Sequence, residues 1–329
     1  MEIQDLPKVE LHLHLDCSLS YRVVKKIRPG TSREQYRTQF MAPANCPDLT
    51  TYLSRAENAI DLMQSEKHLQ WVVADVVDQL VKDGIIYAEL RFAPLEHMRK
   101  GLSAERVVDT VCRAIEKGSR ESGIHLGLLL CTLRHYSESM SLQVADLCRA
   151  FNDRGVIGMD IAGDEAAHGL DAHVAAFEKC HSSGIACTAH AGESMGYKSV
   201  EETIGRLKIQ RIGHGVRAIE NPETVALILS EDIHLEVCPT SNVLTGTVPS
   251  LDDHPVNRLY RGGVSLSINT DGRTISNVDL SREYKLLQKH FNWEKAEFFH
   301  CNIEAIKHSF VKEPIKQKLL DKINNAYKS

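Results

Sequence analysis

Eight short segments with the apolar or alternating pattern of β-strands are spread along this 329-residue chain. They span residues 9–16, 85–92, 126–134, 156–160, 186–190, 211–214, 233–238 and 264–271. Stretches with helical periodicity separate most of them, including residues 103–118, 170–184 and 223–230. Eight strand-helix alternations are the pattern of a (β/α)₈ barrel, or TIM barrel, of the α/β class.

Two segments are longer than a minimal barrel requires. Residues 17–84 separate the first two strands and include a helical stretch near 48–63, and residues 278–329 form a helical tail. Active sites of such barrels lie at the carboxyl ends of the strands, so the first insertion is the predicted lid over the barrel mouth. No linker or shift in composition marks a boundary, and residues 1–329 are predicted to form one domain.

The charge and the cysteine content indicate which kind of partner the protein binds and in which compartment it lies. The net charge of −5 comes without a long basic cluster, so we expect no nucleic-acid or membrane partner. The start of the chain lacks the pattern of a signal peptide, and no segment approaches the roughly 20 apolar residues of a membrane span. Nine cysteines without CxxC pairs indicate reduced thiols. These features predict a cytoplasmic protein with a small-molecule partner and leave its oligomeric state open.

Ligand-type side chains stand mainly at the ends of predicted strands. His12 and His14 lie in the first strand, His190 and His214 close the fifth and sixth, and Asp271 ends the eighth. The carboxyl ends of the strands meet at one barrel mouth, and a His-x-His pair places both imidazoles on one strand face. Three nitrogens and one carboxylate suit Zn²⁺ with an open position for water, so we predict a metal site.

Two further residues have the character of an acid-base pair. Glu193 follows His190 by three residues and is the candidate proton donor, although a glutamate that stabilises the first turn of a helix would have the same spacing. His214 lies between two glycines and could be either a fourth metal ligand or a base. With His12, His14, His190 and Asp271 already available as ligands, the base is favoured.

The end of the fourth strand offers a different kind of contact. Gly163 allows the backbone to approach a flat ligand closely, whereas Asp164 and Glu165 are interpreted as solvated loop charges. No lysine stands there to be carbamylated and bridge two metals. The sequence therefore favours a mononuclear site.

Six segments, in order between residue 7 and about residue 310, resemble the adenosine deaminase family of the amidohydrolase superfamily. They are 9–16 (VELHLHLD), 161–165 (IAGDE), 190–193 (HAGE), 211–215 (RIGHG), 236–241 (EVCPTS) and 269–271 (NTD). The resemblance implies one Zn²⁺ per chain, held by His12, His14, His190 and Asp271. It also implies that Glu193 protonates purine N1 and that His214 handles the zinc-bound water.

The resemblance extends to the substrate contacts. It implies that the Gly163 amide meets purine N3 and that Asp16 binds the ribose 5′-hydroxyl, where related adenine deaminases tend to carry Glu. His14, Asp16 and Gly163 are therefore the predicted substrate-binding residues. Residues 48–53 look like the apolar gate of the family, although an ordinary amphipathic helix would have the same pattern.

Two positions depart from the family pattern. Many members have a second aspartate after the metal-binding one, in contact with purine N7, where this chain has Gly272 followed by Arg273. The first motif usually continues with Gly, where this chain has Cys17. These departures leave the N7 contact open.

The predicted activity is zinc-dependent deamination of adenosine, and of 2′-deoxyadenosine, to inosine and ammonia in purine salvage. The alternative substrates are other 6-aminopurine compounds, such as aminodeoxyfutalosine or adenine. A further alternative is a zinc-binding barrel that acts by binding alone, although both proposed acid-base residues are present.

Overall fold

The computed structural model describes residues 5–43, 46 and 48–328. Within these residues, parallel strands form two sheets with the orders β1-β2-β3-β4-β5 and β6-β7-β8-β9. The strands are β1 (Lys8–His14), β2 (Ile85–Phe92), β3 (His125–Leu133), β4 (Val156–Ala162), β5 (Ala186–Cys187), β6 (Ala189–Ala191), β7 (Arg211–His214), β8 (His234–Val237) and β9 (Leu266–Ile268).

The two sheets join at both edges and close a barrel. Only Thr188 separates β5 from β6, and its N–H donates to the carbonyl of Met159 on β4 at 3.0 Å. At the other edge, Leu13 of β1 pairs in parallel with Asp271, just beyond β9. The predicted fifth strand is thus one strand interrupted at Thr188, and the predicted (β/α)₈ barrel is confirmed.

Helices surround the barrel and fill both long insertions. They are α1 (Tyr21–Ile27), α2 (Arg33–Phe40), α3 (Leu49–Leu62), α4 (Glu66–Lys82), α5 (Ala104–Ser122), α6 (Glu138–Phe151), α7 (Val174–Ser182), α8 (Tyr197–Leu207), α9 (Pro222–Ser230), α10 (Pro239–Leu244), α11 (Val256–Arg261), α12 (Leu280–Phe291), α13 (Lys295–His308) and α14 (Glu313–Lys328). Several begin at a residue whose side chain caps the helix; Asp48, for example, accepts from the N–H of Thr51 at 2.7 Å at the start of α3. Among the described residues, no helix has the length and apolar character needed to cross a bilayer.

Some predicted boundaries differ from the structure. The first strand ends at His14, and Asp16 lies in a short 3₁₀ helix, Leu15–Cys17, because the chain turns away once it has left the barrel. The eighth barrel strand keeps regular pairing over Leu266–Ile268 alone. Beyond it, the side chain of Asn269 accepts from the main-chain N–H groups of Leu11 and His12, which replaces the regular ladder.

The carboxyl-terminal helices hold the strand that carries the first two histidines. The N–H of Val9 donates to Oδ1 of Asn302 on α13 at 2.7 Å. The amide nitrogen of Asn302 in turn donates to the hydroxyls of Tyr284 on α12 and Tyr327 on α14, at 2.9 and 3.1 Å. Asn302 is buried, so one amide fixes β1 against three helices.

Replacement of this amide tests its contribution to folding. We expect Asn302→Ala to lower the free energy of unfolding by about 1–3 kcal/mol, because it leaves the buried N–H of Val9 without an acceptor. The matched control is Asn324→Ala, where the side chain donates within its own helix to Leu320, and the expected change is within about 0.5 kcal/mol. Equal values from urea unfolding of the two variants would contradict the assigned role.

Candidate active site

Five ligand-type side chains from four barrel strands meet at the carboxyl ends of the strands. Nε2 of His14 lies 3.2 Å from Nε2 of His190 and 3.5 Å from Oδ1 of Asp271. Nε2 of His12 lies 3.4 Å from the same carboxylate oxygen. The His214 ring lies 4.9 Å from that of His12 between centroids. The convergence predicted from the sequence is therefore present.

The donor atoms fit a metal ion. Ligand atoms of His12, His190, His214 and Asp271 all lie within 4.8 Å of one another, and His14 joins His190 in a second group of the same kind with Asp160. Nε2 of His12 is buried without a hydrogen-bond partner. Burial of an unpaired nitrogen costs free energy. Coordination of a cation would give this nitrogen the partner that it lacks.

Carboxylates behind two of the histidines set their orientation. Nδ1 of His12 lies 2.9 Å from Glu236, and Nδ1 of His190 lies 3.2 Å from Asp160. Arg91, which is fully buried, holds both carboxylates through ion pairs at 2.7 and 2.9 Å. Hydrogen bonds at Nδ1 leave Nε2 of each ring directed at the site, as is usual for metal-binding histidines.

Asp271 is held on its other side. Its Oδ2 accepts from the hydroxyl of Ser241 at 2.7 Å and from the hydroxyl of Tyr52 at 3.3 Å. Burial opposes the charge on this carboxyl, yet the close contact with His12 and the charges of the neighbouring imidazoles hold its pKa well below the ordinary value. The backbone φ of Asp271 is 62°, a left-handed conformation that is uncommon outside glycine and clusters at functional sites.

Glu193 and His214 face each other across the cluster. Oε2 of Glu193 lies 3.6 Å from Nε2 of His214, and both residues are buried. Burial raises the pKa of Glu193 well above its ordinary value, and burial lowers the pKa of His214 well below its ordinary value. Both shifts favour the uncharged forms of the two groups, and an uncharged carboxyl is the form that can donate a proton.

Glu165 has a structural task that the sequence analysis assigned wrongly. It is buried rather than a solvated loop charge. Its carboxylate accepts from the main-chain N–H groups of Gly192, Glu193, Ser194 and Met195 at 2.7 to 3.1 Å. The charge compensates for these loop donors, so Glu165 fixes the backbone that carries Glu193.

A small cavity lies over the cluster. Its volume is about 40 Å³, and Gly163, Glu193 and His214 contribute to its walls. Leu49 and Tyr52 of α3 cover it, which places the predicted lid over the site. Residues 44, 45 and 47, just before this helix, lie outside the described residues.

The predicted ribose contact lies beside this cavity. Asp16 is 5% exposed, and its Oδ2 lies 3.7 Å from Nε2 of His97. Burial opposes ionisation of Asp16, but the nearby imidazole of His97 lowers its pKa overall. Asp16 is thus an anion next to Cys17, which does line the cavity.

The two departures from the family pattern are neighbours in space. A Cβ atom added to Gly272 would lie 2.8 Å from Cβ of Cys17 and 3.1 Å from the hydroxyl of Tyr52. A Cβ cannot swing away as the end of a long side chain can. A side chain at 17 therefore excludes a side chain at 272, and the two departures compensate for each other sterically.

Sequence reasoning missed the charged residues beneath the histidines. Arg91 and Glu89 were not singled out, and Arg211 and Glu236 were noted only within matching family segments. Arg211 pairs with Glu236 at 2.6 Å and with Glu89 at 2.7 Å, all buried within the barrel. The available signal was charged residues inside strands that are otherwise apolar, since buried charges need partners.

A parallel (β/α)₈ barrel with clustered histidines and an aspartate at its mouth defines a metal-dependent amidohydrolase. The comparisons with known proteins give the family. The adenosine deaminase family profile matches residues 7–326, so the chain belongs to the adenosine deaminase family. It is accordingly an enzyme of the hydrolytic deaminase type, as the sequence predicted.

Curated relatives match over almost their whole length. An adenosine deaminase from Clostridium acetobutylicum is 34% identical over 330 residues, which cover 98% of each chain. An adenosine deaminase from Enterococcus faecalis is 33% identical, with 99% of this chain and 98% of the relative covered. The matched region therefore spans the strands, the insertion after β1 and the carboxyl-terminal helices.

Solved structures show the same fold. The adenine deaminase from Arthrobacter aurescens superposes with a TM-score of 0.91 at 24% identity, covering 98% of this chain and 100% of that one. The N6-methyl-AMP deaminase from Arabidopsis thaliana gives 0.87 at 24% identity, with 98% of each chain covered. An amidohydrolase from Burkholderia ambifaria, solved with bound Zn, gives 0.90 at 22% identity, with 99% and 92% covered.

The pairing of Cys17 with Gly272 can be tested through stability. We expect Gly272→Ala to lower the free energy of unfolding by about 1–3 kcal/mol, because the added Cβ overpacks a filled site. In a Cys17→Gly background the same substitution should cost at least about 1 kcal/mol less.

The matched control for this cycle is Gly205→Ala. Gly205 lies in α8 with nothing within 4 Å of an added Cβ, so alanine there should not destabilise the protein. Additive costs at positions 17 and 272, measured by urea unfolding, would show that the two residues do not exclude each other.

Proposed function

We propose that this protein deaminates adenosine, and 2′-deoxyadenosine, to inosine and ammonia with one Zn²⁺ per chain, in purine salvage. The observation that carries the proposal is the buried Glu193 facing a cluster of three histidines and Asp271 in a small pocket. This arrangement combines a candidate proton donor with a candidate metal site. Family membership supports the same chemistry.

The metal would be held by His12, His14, His190 and Asp271. Two contacts favour this set over one that contains His214. His14 lies within 3.5 Å of both His190 and Asp271, whereas Nδ1 of His214 accepts from Asn242 and its Nε2 faces Glu193. When bound, zinc lowers the pKa of its water to about 7 and so supplies hydroxide near neutral pH.

The chain's own residues supply the proton chemistry. Glu193, kept neutral by burial, donates a proton to the purine N1, which makes C6 more electrophilic and avoids an anionic intermediate. As water adds at C6 it gives up two protons, of which one converts the departing amino group to ammonia and the other restores the Glu193 carboxyl. His214 orients the water from beside Glu193. Acid-base assistance of this kind contributes roughly 10²–10⁴ in rate.

The substrate contacts follow from the walls of the site. Gly163 has a φ of 101° and lines the cavity with His14, so its backbone can approach a flat purine. Asp16 would accept a hydrogen bond from the 5′-hydroxyl of a ribose, which a free base lacks. The lid residues Leu49, Tyr52 and Leu53 would move to admit a nucleoside, because about 40 Å³ holds only water-sized ligands.

The first test is direct. Zinc-loaded protein incubated with adenosine should convert the adenine chromophore to hypoxanthine in the ultraviolet spectrum and release equimolar ammonia. A panel of 2′-deoxyadenosine, adenine and aminodeoxyfutalosine decides the alternatives. Deamination of either of the last two orders of magnitude more efficiently than adenosine would overturn the substrate assignment.

Two variants separate metal binding from proton donation. Glu193→Gln should retain zinc but lose about 10²-fold or more in kcat, because the amide cannot give up a proton. His12→Ala should lose zinc, as measured by elemental analysis. Glu223→Gln, an exposed change of the same kind on α9, is the control and should keep both properties. Undiminished turnover in Glu193→Gln would remove this residue from the mechanism.

A further inference from the structure

A chain of hydrogen bonds leads from the backbone of α11 to the imidazole of His214. The N–H of Val256 donates to Nδ1 of His254 at 3.1 Å. A main-chain N–H can act only as a donor, so Nδ1 of His254 carries no proton. The single proton of this buried imidazole is therefore on Nε2.

The next link fixes the orientation of an amide. Nε2 of His254 lies 3.2 Å from Oδ1 of Asn242, and it donates to that oxygen. The other end of the amide, Nδ2, lies 3.1 Å from Nδ1 of His214. Because an amide nitrogen can only donate, Nδ1 of His214 is an acceptor. The donor and acceptor in each of these hydrogen bonds are thus fixed by the Val256 N–H, without a separate assumption.

The side-chain amide of Asn242 cannot flip and so reverse the directions of these hydrogen bonds. It is fully buried in α10, where its own N–H donates to the carbonyl of Cys238 at 2.9 Å and its carbonyl accepts from Val248 at 3.1 Å. A flipped amide would set its NH₂ against the Nε2–H of His254. Two donors would then face each other in a site without water access, which is costly.

We infer that Asn242 and His254 are positioning residues that hold His214 as the neutral tautomer with its proton on Nε2. The Nε2 atom is the one that faces the cluster, 3.6 Å from Glu193. His214 therefore presents a hydrogen-bond donor to the reacting oxygen. It orients the attacking water from a fixed N–H, whereas the base role expected from the sequence requires an unprotonated Nε2.

Histidine tautomers can be read from nitrogen chemical shifts. In protein labelled with ¹⁵N-histidine, long-range ¹H–¹⁵N correlation spectra distinguish an Nε2–H ring from an Nδ1–H ring. The His214 signals are assigned by their loss in His214→Gln. We expect an unprotonated Nδ1 and a protonated Nε2 in the wild-type holoenzyme. A wild-type spectrum with the proton on Nδ1 would overturn the inference, and this arm does not depend on any variant folding.

Asn242→Asp inverts the contact without a change in size. The new carboxylate can only accept, so it draws the His214 proton to Nδ1. The expected result is the opposite correlation pattern, with kcat reduced about 10²-fold or more and KM changed less than about threefold. Asn257→Asp is the matched control, since Asn257 only accepts from Trp293 and should leave His214 and kcat unchanged. An unaltered His214 pattern in Asn242→Asp would contradict the inference.

The spectroscopic and kinetic experiments test different statements and can fail independently. The kinetic arm rests on the proposed deaminase activity, whereas the spectrum needs no substrate. If adenosine is not converted but the wild-type spectrum shows the Nε2–H ring, the positioning role stands and the substrate assignment fails. If adenosine is converted but the His214 ring is protonated on Nδ1, the substrate assignment stands and the positioning role fails.

Discussion

The backbone contact that closes the barrel also assembles the site. The N–H of His14 donates to the carbonyl of Asp271 at 2.7 Å, and the N–H of Asp271 donates to the carbonyl of His12 at 3.0 Å. Two main-chain hydrogen bonds thus join the first and last barrel strands at the level of three ligand-type side chains. Correct closure of the barrel and correct placement of the donors are therefore the same event.

Beneath this contact, the charged side chains buried in the barrel are stabilised because they form ion pairs with one another. Arg91 and Arg211 are fully buried or nearly so, and Glu236 accepts from both. Each charge alone would be strongly destabilising, but the network satisfies them and holds His12 from behind. Above the contact, α3 shuts out solvent. Burial raises the pKa of Glu193, and the neighbouring imidazoles lower the pKa of Asp271.

Local patterns in the sequence were sufficient for the fold and for most of the cluster. Alternation in strands and periodicity in helices predict a (β/α)₈ barrel, and the structure confirms it because each element is encoded by its own residues. The convergence of His12, His14, His190, His214 and Asp271 follows from strand ends alone. The ligand set and the roles of Glu193 and His214 stay predictions, supported by the observed geometry.

The residues that tune the site are a different matter, because their roles depend on partners far away in the chain. Glu165 and Glu193 are 28 residues apart, and only the folded loop shows that one carboxylate holds the backbone of the other. Cys17 and Gly272 are 255 positions apart, and their exclusion depends on a Cβ distance that no local pattern contains. The sequence by itself determined the barrel and its metal-type donors; tertiary structure decided the packing, the hydrogen-bond directions and hence the protonation of each group.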